Sequence, residues 1–314
     1  MKKIKYYLSR LNTTDLVVVT FYSVLILLNL IFNSRISEWS YLIAVNIFIV
    51  GFVFFIAEIE KGKSKPLKFL HNWYVVPLIF GTFKEIYLMV YPIHGRDYDQ
   101  ILMNADRWIF GTDPTHFLYH IANPYLTELL QIIYSSFYFL PIILGIDLLL
   151  NKRQRSFEYA VFAVVYGFFL SYIGYFLLPA IGPRFTLHDF GSMNSDLPGL
   201  CLTNFLREII NSGESISAGT INPALVVQRD VFPSGHTQMT LIVMYLSVKF
   251  KTKSRFFFLP AGSLLIFSTV YLRYHYFVDL IGGTVFMIFT MWSAFHIYKG
   301  WRKFRNKEDK ICGN

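Results

Sequence analysis

Eight long apolar runs, each near the length a helix needs to cross a bilayer, constrain this chain more than any other feature. They lie at roughly 16–32, 39–57, 73–91, 126–150, 159–180, 234–250, 256–273 and 275–298. A hydrocarbon core about 30 Å thick takes about 20 mostly apolar residues as helix. Backbone exposed to lipid must satisfy its own hydrogen bonds, so a spanning segment is a helix or part of a closed barrel. Barrel strands alternate in runs of about ten residues, and no such alternation is present. The expectation is therefore an all-α, polytopic membrane bundle of eight transmembrane helices. Composition agrees: 54% of residues are hydrophobic and 16% charged, against roughly a quarter charged in soluble domains.

The distribution of basic residues orients the bundle. Eight spans place the N-terminus, 58–72, 151–158, 249–255 and the C-terminal tail on one side, and these hold 21 of the 29 Lys and Arg. The opposite side carries Arg35, Arg96, Arg107, Arg184, Arg207, Arg229 and Arg273, while Lys84 lies inside a span. Positive residues stay cytoplasmic. Both termini are thus expected inside a multi-pass cell-membrane protein. The net charge of +9 is accounted for by topology and anionic lipid, so no nucleic-acid partner is expected. The basic start MKKIKYYLSR precedes a run long enough to span and lacks a cleavage pattern, so it reads as a retained first helix. Cys201 is expected outside and Cys312 inside, which excludes a disulfide between them. No Cys/His cluster suggests a metal site.

Two outer segments are long. In 92–125, Tyr98, Ile101, Leu102, Ala105, Trp108 and Ile109 recur at helical spacing, with Asp97, Asp99, Asp106 and Arg107 elsewhere. That pattern predicts a helix lying in the membrane interface. In 181–233, Leu202, Phe205, Leu206, Ile209 and Ile210 make one helical face, which predicts a second interfacial helix, either a lid or a packing element.

Three polar clusters sit at the outer ends of the last four spans: Gly182-Pro183-Arg184, Pro233-Ser234-Gly235-His236, and Arg273 through Asp279. A helix opening at Pro-Ser-Gly-His offers free N–H groups and a positive dipole end to an anion. Ser234 can cap that helix and Gly235 admits close approach. Arg184 and Arg273 can hold phosphate oxygens with paired donors. His275 and Asp279, four apart, share a helix face. Asp279 can then accept from one imidazole nitrogen and leave the other as nucleophile. His236 remains as general acid for a leaving oxygen. Taken singly, each cluster also has a structural reading, as a capped helix start, a helix-end ion pair or a turn.

Pro233-Ser234-Gly235-His236 and His275-x-x-x-Asp279 resemble the second and third motifs of the type 2 phosphatidic acid phosphatase (PAP2) superfamily. The resemblance runs from about residue 73 to 298. It implies a six-helix catalytic core over 71–314 with a cytoplasmic basic tail, preceded by a two-helix membrane addition at 1–70. It also implies a metal-independent enzyme, without cofactor, that acts on a membrane lipid phosphate at the extracytoplasmic face through a phosphohistidine intermediate. His275 would be nucleophile, Asp279 its partner and His236 the acid, with Ser234 and Gly235 holding phosphate. The acceptor would be water or a hydroxyl of a polyol or lipid.

The chain departs from the family pattern in two places. Leu177 stands where the first motif has Lys, with Phe185 after Arg184 in place of Pro, and Thr269 stands where the third motif has Arg. These features look like the branch of inositol phosphorylceramide synthases and their bacterial relatives. Lys84, about 10 Å below the outer end of its span, is a candidate replacement for the missing Lys. A buried ion pair with Asp147, Glu128 or Glu158 is its structural alternative. A transporter of a small anionic or lipid solute would also suit eight spans with Lys84, Glu85 and Asp147 inside the membrane. It would ordinarily show an inverted repeat and paired broken helices, which the sequence does not. An intramembrane serine protease is disfavoured because no Gly-x-Ser-Gly surrounds Ser234. Oligomeric state leaves no sequence signature.

Overall fold

The computed structural model describes residues 2–59 and 64–305, so Cys312 and most of the basic tail lie outside the described residues. Every regular element among them is helical. In chain order these are α1 (Lys2–Leu8), α2 (Thr13–Ile31), α3 (Trp39–Ile59), α4 (Lys65–Trp73), α5 (Val75–His94), α6 (Asp99–Phe110), α7 (Pro114–Tyr119), α8 (Pro124–Ser135) and α9 (Phe139–Leu150). There follow α10 (Gln154–Leu177), α11 (Pro183–Thr186), α12 (Met193–Asp196), α13 (Thr203–Gly213), α14 (Pro223–Val226), α15 (Gly235–Lys249), α16 (Arg255–Tyr271) and α17 (Phe277–Phe304).

All eight apolar runs fall on helices. Five helices are long and apolar enough to cross a membrane: α2, α3, α4 continuing into α5, α10 and α17. The chain is a multi-pass membrane protein. The fourth run is one span only as a broken pair, because α8 and α9 meet at a 57° bend. The cause is local. Pro141 has no N–H to extend the ladder across 136–138, and Ser135 and Ser136 turn their hydroxyls onto Gln131 and Ile133 carbonyls. The sixth and seventh runs form α15 and α16, of 15 and 17 residues. At 1.5 Å per residue these reach only about 22–26 Å.

The chain folds as two compact units. The first comprises residues 1–95, 148–170 and 289–314. Its interior is apolar with a few hydrogen-bonded polar pairs. Tyr22 and Thr82 hydroxyls meet at 2.7 Å, and Asn46 Nδ2 donates to Glu85 at 2.6 Å. Asp15 caps the start of α2 by accepting from the Asn12 N–H, and it also accepts from Tyr74 Oη at 2.8 Å.

The second unit comprises residues 96–147 and 171–288 and contains all three polar clusters. Helices α15 and α16 pack closely because Gly262 has no Cβ; one would stand 2.6 Å from Met244 Sδ. A core of Leu130, Tyr134, Met193, Leu197, Tyr271, Leu272 and Tyr274 draws on α8, α12, the end of α16 and the chain that follows them.

Helices α6 and α13 form where the spacing predicts them, and both are inverted relative to a soluble surface helix. In α6 the buried residues are Asp99, Leu102 and Asp106, while Ile101, Ile109 and Trp108 (88% exposed) face outward. In α13 Thr203 and Arg207 are buried, and Leu202, Phe205 and Ile209 are exposed. Arg207 donates to the Met193 and Leu197 carbonyls, at 3.2 and 2.7 Å. Only Ile210 of the α13 apolar set packs on the core. Polar-in, apolar-out helices are stable where the outer medium is lipid.

Candidate active site

The site is assembled from the start of α15 and the link between α16 and α17. Ser234 caps α15, its hydroxyl accepting from the Thr237 N–H at 3.2 Å. Its own N–H donates to the Asp279 carbonyl at 3.0 Å, which joins the second and third clusters through backbone. This approach needs a glycine opposite: a Cβ on Gly283 would sit 2.6 Å from the Ser234 carbonyl oxygen. Gly235 is likewise closed in by Tyr175, whose hydroxyl would be 2.5 Å from an added Cβ.

Helix α16 ends where the Tyr274 and His275 N–H groups both donate to Thr269 O, and Arg273 takes a left-handed φ of 65°. That turn delivers His275 to the interior, 4% exposed. Its Nδ1 lies 3.0 Å from Val231 O and 3.3 Å from Asp279 Oδ2. A carbonyl oxygen can only accept, so Nδ1 carries the proton and Nε2 keeps its lone pair. Asp279 Oδ2 also accepts from Tyr276 N–H at 2.8 Å, and its buried Oδ1 has no partner. His275 precedes α17, and burial pushes its imidazole down to about 4, against the raising effects of the Asp230 charge and the Val231 hydrogen bond. Desolvation disfavours the imidazolium, so the group is neutral near pH 7.

His236 faces it. The two ring centroids are 5.7 Å apart at 62°. His236 is stacked on Tyr134 (4.4 Å, 19°), which stacks in turn on Tyr274 (4.4 Å, 13°), and Phe137 lies 4.2 Å from the histidine ring. Aromatic packing on this scale fixes ring orientation. Arg184 is brought to the same place. Its N–H donates to Arg273 O at 3.1 Å, and its guanidinium lies over Tyr274 at 4.8 Å. It also donates to Asn211 Oδ1 at 3.1 Å and pairs with Glu214. Gly182, at φ 95°, permits this turn, because a Cβ there would meet Tyr274 O at 2.9 Å.

Arg273 is directed elsewhere. It pairs with Asp196 at 2.7 Å and lies over Tyr119; this hydrogen bond holds the Asp196 carboxyl below its ordinary range. Lys84 stands on α5 in the first unit, exposed on the wall of an apolar cleft of about 530 Å³ that also includes Tyr22, Tyr74 and Glu85. Of the three acids weighed as its partners, Glu128 accepts from the N–H groups of Leu200, Cys201, Leu202 and Thr203, and Glu158 accepts from Gln154.

Sequence reasoning passed over three carboxylates. Asp99 accepts from the N–H groups of Ile181 and Gly182 and from Tyr276 Oη. Asp106 accepts from Phe277 and Val278 N–H, both at 2.8 Å. Burial raises both carboxyls while those N–H bonds oppose it. The signal was available: seven residues apart, they lie on one face of α6. Asp230, half-buried beside the second motif, is the third; its charge acts on His275 and Arg184. Among the described residues no group of three His, Cys, Asp or Glu is gathered to hold a metal ion.

Residues 100–293 match the family model described as the PAP2 superfamily. A PA-phosphatase related-family protein of Dictyostelium discoideum is 25% identical over 183 residues, covering 52% of this chain and 31% of that protein. The chain thus spans about a third of the length of that relative. No solved structure gives a significant match.

Proposed function

Because this chain belongs to the PAP2 superfamily, which matches more than half of its length, we propose that it is a lipid phosphatase or phosphotransferase with a phosphohistidine intermediate. The observation that carries the reading is the His236–His275 pair, 5.7 Å apart, with His275 Nδ1 bonded to Val231 O and Asp279. That arrangement leaves His275 Nε2 as the nucleophilic nitrogen, with a second imidazole in edge-to-face contact beside it.

In the first step His275 Nε2 attacks phosphorus, the N–P bond forms and the P–O bond to the lipid breaks. His236 gives its proton to the departing oxygen. Asp279 and Val231 O hold the Nδ1 proton as positive charge grows on the ring. Arg184 and the N–H groups opening α15 take the phosphoryl oxygens, donors already in place before charge develops. In the second step water or an acceptor hydroxyl attacks phosphorus, its proton passes to His236, and the N–P bond breaks. Phosphatase and transferase differ only in that acceptor. Ser234 stabilises the anion turn and is not a nucleophile.

The substrate is a membrane lipid phosphate presented at the extracytoplasmic face, with both termini cytoplasmic, as the basic-residue distribution supports. The motif departures at Leu177 and Thr269 support the inositol phosphorylceramide synthase-like branch. A transporter is not favoured, since Glu85 and Asp147 are occupied by Asn46 and Ser254.

The test is purified protein assayed against phosphatidate, isoprenyl pyrophosphate and phosphatidylinositol, with and without a polyol acceptor, and rapid quench of labelled substrate. Acid-labile labelled protein is expected. Turnover without any phosphoenzyme, or neither free phosphate nor polyol-bearing product from any lipid, overturns the reading. Product bearing the polyol identifies transfer, and free phosphate identifies hydrolysis.

A further inference from the structure

The first unit contains a cavity of about 430 Å³ that the phosphohistidine chemistry leaves without a role. The starts of α2 and α10, part of α4 and the end of α17 wall it. Among the described residues that line it, four are cations, Lys68, Arg155, Arg302 and Arg305, and one, Glu158, is a carboxylate.

The described acids at the wall have donors of their own. Glu158 accepts from Gln154 Nε2 at 3.2 Å. Asp15, fully buried behind the wall, is bonded to the Asn12 N–H and Tyr74 Oη, and lies 3.0 Å from His71 Nε2. Arg305 Nε donates to Ser9 O and Arg302 Nη1 to Tyr298 Oη, each at 3.1 Å. Thr13 and Thr14, at the first positions of α2, also line the cavity. The start of α10 adds N–H groups and a positive dipole end to the four side-chain charges, while the start of α2 is capped by Asn12 and Asp15.

Such a concave, donor-rich wall is suited to phosphate, whose oxygens accept from guanidinium pairs and backbone N–H together. The volume exceeds one inorganic phosphate and falls in the range of small-molecule sites, about 300–1,000 Å³. We propose that this cavity binds a phosphate-bearing anion, the headgroup of an anionic lipid or a soluble phosphate compound, at a site separate from the histidine pair. Its four cations all lie on segments that the charge distribution assigns to the cytoplasm, so the ligand comes from the inner leaflet or the cytosol.

Hydrogen–deuterium exchange of the full chain tests this with site resolution. Inorganic phosphate in detergent, and nanodiscs of phosphatidylglycerol against nanodiscs of phosphatidylcholine, are the two probes. Slower exchange is expected at 12–15 and 154–158. The double variant Lys68→Gln, Arg155→Gln replaces two exposed side chains and should weaken the response about tenfold; if it is poorly produced, Arg155→Gln alone serves. Protection by inorganic phosphate in detergent supports a soluble ligand, and protection in phosphatidylglycerol discs alone supports a lipid headgroup. No protection by either probe, or protection that the variant keeps in full, overturns the proposal.

Discussion

The Ser234 N–H donates to the Asp279 carbonyl at 3.0 Å, and Gly283 leaves the room in which they meet. One backbone bond thus sets the distance between the turn that opens α15 and the carboxylate beside His275. Gly283→Ala forces a Cβ to within 2.6 Å of Ser234 O and 3.0 Å of Thr237 Cβ. Overpacking of this kind costs about 1–3 kcal/mol. A lower Tm and a kcat reduced about tenfold or more are expected from thermal unfolding and steady-state assays. Unchanged kcat would mean that this spacing does not matter to the chemistry.

His275→Ala should abolish the labelled phosphoenzyme altogether. His236→Ala should slow the first step by about 10²–10⁴-fold with a lipid leaving group. The loss should shrink with a nitrophenyl phosphate, which needs no proton on departure. Single-turnover kinetics with both substrates separates the two roles. Equal losses for both leaving groups would remove His236 as the acid.

The two arginines should differ. Arg184 lies over Tyr274 beside the histidines and is shared with Glu214, whereas Arg273 is held by Asp196. Glu214→Gln should free Arg184 and tighten vanadate inhibition several-fold. Arg273→Gln should mainly lower Tm and leave KM within about twofold, since a lost charge-assisted bond costs about 1.5–3 kcal/mol. A large rise in KM for Arg273→Gln would return that residue to the phosphate.

The pH profile has a defined acid limb. With His275 held down to about 4 by burial, the free nucleophile stays neutral as pH falls through 6 and 5 and is lost near 4. The acid limb of kcat/KM should lie there instead of at the ordinary imidazole value near 6.5. Measurement with a short-chain soluble phosphate decides it.

Lys84→Met tests the one candidate that lies outside the second unit. If Lys84 contacts phosphate, KM rises about tenfold or more with the fold intact, as loss of a charged hydrogen bond implies. Intact folding with unchanged KM rejects the assignment.

Much of this was legible in the sequence. Hydropathy located every long helix because a run of about 20 apolar residues has few other uses. Motif spacing brought Ser234, His236, His275 and Asp279 together because helix starts and i,i+4 faces are local geometry. The break at 136–138 was less visible, since Ser135, Ser136 and Pro141 sit inside a run whose length alone reads as one span. The buried roles of Asp99, Asp106 and Arg207 were hidden for a different reason. Their partners are backbone groups of distant turns, and no side-chain pattern encodes those. The destination of Arg273 depended on Asp196, whose place is set by tertiary packing.

Helix α6 has one side clad in Trp108, Ile101 and Ile109 and the other gripping the amides of Phe277 and Val278 through Asp106. An amphipathic helix of this kind rides at the depth its lipids dictate. With that apolar side in the bilayer interface, the chain two residues beyond His275 would be moored to the membrane, and a change of bilayer thickness is then expected to alter turnover.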